Sequence, residues 1–137
     1  MNNDNHNILS FIQLCHFLID GFNMSFVFLF HPIFDIYFVT WIFLQTVHWG
    51  LLKNECMVSY IEKKLMDPNY ELGSKPQWIP HYDVYYNKYM IMLKAILILG
   101  GLSYIIYRNK SSKVRCIAIM AIMLWVYFTY FHAKPQL

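Results

Sequence analysis

A chain of 137 residues has the length of one domain, and its balance of 58% hydrophobic, 19% aromatic and 14% charged residues departs from the soluble norm of about a quarter charged. The net charge of +3 is small and scattered among Lys, Arg, Asp and Glu, which excludes a nucleic-acid surface, since that requires a clustered basic patch. Cys15, Cys56 and Cys116 stand far apart with no CxxC pair, so they offer neither a disulfide framework nor zinc-finger spacing.

This is a membrane composition, and the chain reads as an all-α, multi-pass integral membrane protein with four transmembrane helices in an antiparallel bundle, a single domain over residues 1–137. The polar start, residues 1–7, lacks the positive flank of a removed signal peptide, and no small-residue cleavage site follows it. Residues 8–30 make the first span, long enough to cross about 30 Å of hydrocarbon at 1.5 Å per residue. Along it Gln13, His16, Asp20 and Asn23 fall at steps of three and four, which puts all four on one face. His31-Pro32 breaks the helix, because proline has no amide hydrogen and disfavours helix at its predecessor.

The second span covers residues 33–52, with a helical extension to residue 66 past the membrane surface, where Lys53, Glu55, Glu62, Lys63 and Lys64 are charged but still good helix formers. On one continuous helix, Trp41, Gln45, His48, Leu52, Glu55, Ser59 and Glu62 share a face. Asp67-Pro68-Asn69 ends it. Residues 67–88 read as a loop at the interface, because its many tyrosines and Trp78 suit the headgroup level. The third span, 89–107, carries one charge, Lys94, placed to reach the interface or pair with an acid. Its Gly100-Gly101 pair allows close helix approach. A basic turn of four cations, residues 108–115, leads to the fourth span, 114–132, with Ala118, Ala121 and Trp125 on one stripe. Asp35, beside the first short turn, is expected to reach headgroups or water.

A tight turn makes the first two spans antiparallel neighbours, so residues whose numbers sum to about 64 share a depth. His16 then faces His48, Asp20 faces Gln45, and Asn23 faces Trp41. Ionisable groups in hydrocarbon cost about 2.5 kcal/mol or more each when charged and facing lipid, so the two polar seams are expected to face each other. The candidate site is Gln13, His16, Asp20, Gln45 and His48, with Glu55 at its mouth. Its chemistry could be a haem held by two histidines, a transition metal held by His16, His48 and Asp20, or a His-Asp-His proton relay. A metal-bound water acting on a lipid is a further option, which would make the protein a membrane enzyme. The plain alternative is a structural or accessory subunit of an organellar complex or virion membrane, in which the polar seam only sets helix register through interhelical hydrogen bonds. Expected partners are the lipid bilayer and other membrane subunits or a second copy of the chain.

Cys56-x-x-Ser59-x-x-Glu62, followed by Lys63-Lys64 and by Ile79-Pro80-His81-Tyr82, resembles segments of an uncharacterised bacterial family of four-span membrane proteins known as domain of unknown function 2784. The likeness covers residues 49–86. Met57 replaces a proline of the family pattern, Ser59 a threonine and Pro80 an acid. The resemblance implies a four-helix architecture and a second candidate cluster of Cys56, Ser59, Glu62 and His81 at the membrane surface. It implies no activity.

Overall fold

The computed structural model describes the backbone of residues 3–132 and the side chains of residues 6–130. Within them the chain is all-helical: α1 (Asn3–Leu29), a 3-10 turn (Pro32–Phe34), α2 (Asp35–Leu51), α3 (Met57–Met66), α4 (Pro80–Tyr85), α5 (Lys88–Arg108) and α6 (Ser112–Val126), prolonged by π-type turns over Tyr127–His132. Three segments are long and apolar enough to cross a membrane: His6–Leu29, Lys88–Arg108 and Ser112–Tyr130. This is compatible with a multi-pass membrane protein. At 17 residues, α2 is shorter than these three.

α1, α5, α6 and α2 form a ring, with α5 lying between α1 and α6, and α6 packed along α2. Consecutive long helices run in opposite directions, but the closest neighbours do not all do so. Asp20 meets Lys94, and one to two turns farther on Val27 meets Gly101, so the contacts of α1 and α5 climb together and the two helices are parallel. α2 and α6 are parallel by the same test: Asp35 bonds Asn109, just before α6, and Gly50 lies against Phe128, just after its regular part. The simple antiparallel bundle therefore needs this correction. Its cause is the long 52–87 segment, which carries the chain from α2 to the far side of α1.

Close packing explains the α1–α5 pair. A methyl group added at Gly101 would sit 3.0 Å from Val27 Cγ2, so the bare glycine lets the helices approach. The centre is apolar, with Val39, Ile42, Leu102, Ile105, Ala118 and Ala121 wholly or almost wholly buried, and Phe26 and Phe38 stacked at 4.2 Å between ring centres. The outside is apolar as well. Phe11 is 67% exposed, Phe28 72%, Leu51 79% and Tyr107 87%, while Gln13, His16, Asp20 and Asn23 on the opposite face of α1 are each under 8% exposed. Large apolar side chains outside, with the polar face of α1 turned inward, reverse the usual soluble arrangement and are the pattern a bilayer imposes.

Two further sequence expectations change here. The second span does not run on as one helix to residue 66. It ends at Leu51, Lys53 and Asn54 adopt the left-handed conformation (φ 52° and 68°), and α3 starts afresh at Met57. Asn54 tolerates that conformation better than most residues, and its amide closes the helix end on the Trp49 carbonyl at 2.8 Å. The second change concerns Asp35, which is fully buried. Arg108 grips it with two guanidinium nitrogens, Nε at 3.0 Å, and Asn109 adds a third bond at 3.2 Å.

Candidate functional site

The site is assembled by four helices and the segment that folds over them. α1 supplies His16 and Asp20, one turn apart on its buried face. Ser59 and Glu62 come from α3, three residues apart, and Cys56 stands at its N-cap. α4 is only six residues long, with Pro80 at its first position and His81 at its second. This short helix turns His81 inward until it is fully buried. Lys94 projects from the second turn of α5.

Glu62 and Asp20 organise the histidines. His16 Nδ1 lies 2.8 Å from Glu62 Oε1, and an ionised carboxylate only accepts, so Nδ1 carries the proton. The amide of His81 donates to the other Glu62 oxygen at 3.3 Å. His81 Nε2 donates to Asp20 Oδ2 at 3.2 Å, an oxygen that also receives Lys94 Nζ at 2.6 Å and the Tyr86 hydroxyl at 3.3 Å. The two imidazoles lie against each other, ring centres 3.8 Å apart and planes tilted by 38°. Cys56 Sγ lies 3.8 Å from His16 Nε2.

Of the four ring nitrogens of His16 and His81, one is left over. His81 Nδ1 is buried without a hydrogen-bond partner, 3.7 Å from Glu62 Oε1. The donor atoms of His16, Glu62 and His81 all lie within 4.8 Å of one another, a separation that a single metal ion can bridge. With Asp20 holding Nε2, Nδ1 is the nitrogen left for an ion, which would take the place of any proton on it. A metal-binding histidine usually has such a carboxylate behind it.

Burial by itself raises the Glu62 carboxyl, but hydrogen bonds and positive charge from His16 and His81 outweigh it and hold Glu62 below the usual glutamate range. Burial likewise raises the Cys56 thiol. The His16 bond and charge, with the backbone amides of Val58 and Ser59, more than offset it, and the thiol sits below its ordinary value. A cavity of about 560 Å³ opens beside the cluster. His16, Asp20, Cys56, Ser59, His81 and Lys94 line its polar wall, and Ile42, Ile91, Met92, Ile98 and Trp125 its apolar wall.

The two clusters read from the sequence thus converge, though not as the hairpin rule has it. His16 and Asp20 of the first cluster meet Cys56, Ser59, Glu62 and His81 of the second. His48 takes no part: its half-buried side chain makes no hydrogen bond among the described residues and does not line the cavity. His81 stands where His48 was expected, because α1 packs chiefly on α5, α3 and α4 at this depth. Asp20 meets Lys94 and His81 rather than Gln45. Farther along, Asn23 donates to Gln45 at 3.2 Å and accepts from the Trp41 indole at 2.9 Å, so α1 and α2 do share a polar contact there. Gln13 is buried but does not line the cavity.

Glu55 is not at the mouth. It is 1% exposed and pairs with the fully buried Lys63, the Tyr70 hydroxyl and the Gly73 amide, pinning the 67–78 segment to α3. Glu55 and Glu62 therefore do not form a solvated face, nor do the tyrosines of the 67–88 segment simply lie at an interface. Tyr70, Tyr82 and Tyr86 aim their hydroxyls at Glu55, Lys94 and Asp20. Haem also fits poorly. Two imidazoles with ring centres 3.8 Å apart leave no room for a porphyrin between them, and His48 does not face His16. Lys94 and Tyr86 were missed as site residues, although a lone lysine in an apolar span already signals a buried acid partner.

Fold and geometry together define an all-helical protein with apolar outer faces and a buried cluster of two histidines, two carboxylates and a lysine. No protein-family model, curated protein or solved structure matches the chain.

Proposed function

We propose that this is a four-span membrane protein whose His16, Glu62 and His81 bind one divalent transition-metal ion, with Asp20 orienting His81 from behind. The observation that carries the reading is His81 Nδ1, buried and unpaired 3.7 Å from a carboxylate oxygen while its other nitrogen is held by Asp20. Two imidazoles and one carboxylate suit zinc, iron or cobalt, and three protein ligands leave a coordination position open toward water or a substrate. The ion would replace the proton now shared by His16 and Glu62, so binding releases protons.

The four-span reading counts α2 with the three longer helices. Its 17 residues rise about 26 Å, close to the hydrocarbon thickness, and the 3-10 turn before it adds length. Tyr37, Leu44 and Leu51 face outward from it. Membership of the family called domain of unknown function 2784 belongs to the same proposal. Cys56, Ser59, Glu62 and His81, which carry that resemblance, gather around His16 and Asp20.

Cobalt titration of the purified full chain in detergent tests the metal site. One equivalent of Co²⁺ is expected to develop visible absorption bands that His81→Ala and Glu62→Gln abolish and His48→Ala leaves intact. If wild-type protein binds no more cobalt than His81→Ala, the proposal fails.

A further inference from the structure

A metal ion accounts for only a corner of the cavity. Its volume of about 560 Å³ lies in the range of sites for small organic ligands, about 300–1,000 Å³, whereas one water fills about 30 Å³. Two hydrogen-bond donors on its lining, Ser59 Oγ and Trp49 Nε1, are buried without partners, and Ser59 is only 2% exposed. An indole N–H can only donate, and a buried donor is costly unless something accepts from it.

The charged groups of the lining are already engaged. Lys94 is held by Asp20 and Tyr82, and Asp20 also by His81 and Tyr86. Apart from His81 Nδ1, assigned above to the ion, the buried unpaired atoms on the lining are the neutral donors Ser59 Oγ and Trp49 Nε1, which favour carbonyl or ester oxygens over phosphate. The other wall is apolar. Ile91 and Met92 are 41% and 55% exposed on α5, so this end of the cavity opens on the outward side of the bundle, where acyl chains would lie.

We infer that the cavity binds a membrane-dissolved lipid with an uncharged ester or other carbonyl head, its oxygens accepting from Ser59 Oγ and Trp49 Nε1 and its chain leaving past Ile91 and Met92. The inference rests on the membrane reading of the helices and not on the metal. It places the ligand's polar end beside His16 and His81, where a bound ion would also be.

The test uses the full chain in maltoside micelles and a long-chain fatty acid methyl ester carrying a photoreactive diazirine, with a diazirine hydrocarbon of equal length as control. The ester should label the 91–98 stretch saturably. Ser59→Ala with Trp49→Phe should weaken half-saturation about tenfold, the effect of two neutral hydrogen bonds. Ala95→Trp, which fills the apolar arm, should abolish labelling, and chelators should leave it unchanged. Ester labelling that persists in a protein found to bind no cobalt would support this inference while the metal proposal falls. Equal labelling of that stretch by the hydrocarbon, full affinity in the double variant, or loss of labelling on chelation would each overturn it.

Discussion

Glu62 stands between two imidazoles and serves both, which makes it the residue on which the cluster most depends. Its carboxyl is held below the ordinary value of 4.5 in the folded protein, so its ionised form contributes stability that is present above that value and is lost as pH falls through the lower, folded value. Metal-free protein in detergent should therefore show a thermal midpoint that drops as pH is lowered from about 5 toward 3. Glu62→Gln should flatten that drop. Asp20 acts one bond farther out. Asp20→Asn keeps the shape but removes the charge behind His81, and should weaken cobalt affinity by about 10- to 100-fold in the same titration. Unchanged affinity would show that Asp20 answers only to Lys94.

Among the elements, the 52–87 segment does what a helical extension could not. A straight helix to residue 66 would carry Glu62 away from the bundle, whereas the turn at Lys53 and Asn54 lays α3 across α1 and brings Glu62 to His16. Gly73 closes the return. With φ at 83° and a position where a methyl group would come within 2.8 Å of Lys53 Cβ, it tolerates no side chain. Gly73→Ala should destabilise the protein by about 1–3 kcal/mol, read from thermal unfolding, and should lower cobalt affinity because Glu55, Lys63 and α4 move with it. At the opposite end of the bundle, Arg108 ties α5 to α2 through Asp35 and to α1 through the Val27 carbonyl at 3.2 Å. Asp35→Ala removes the guanidinium's carboxylate, leaving it the Val27 carbonyl, and should cost about 3 kcal/mol with no effect on metal affinity.

As a whole, the molecule has two ends of different character. One carries the cluster and its covering segment, and the other carries the short turns with the Arg108–Asp35 lock. On the four-span reading, single cysteines placed at His31 and at Ser74, on either side of α2, in a chain lacking its three native cysteines should react with an impermeant maleimide from opposite sides of sealed vesicles. Labelling of both from one side would reduce the count of crossings and remove α2 from the set. The ring order also explains why the site is shielded. α5 sits beside α1 with Lys94 toward Asp20, so the acids face protein cations rather than acyl chains.

The primary structure by itself determined that the chain is helical and suited to a membrane, and that α1 has a polar face. Those properties follow from local composition and from helical periodicity, which needs no knowledge of partners. It also placed His16 and Asp20 on that face, and a family resemblance picked out Cys56, Ser59, Glu62 and His81. The tertiary structure alone decided that these six belong together, that His81 rather than His48 lies against His16, and that Lys94 and Tyr86 complete the surroundings of Asp20. A helix's hydrophobic period reveals which side is turned inward but not which neighbour it meets. That choice was made by close packing at Gly101 and by a left-handed turn two residues long, each of which redirects a whole helix.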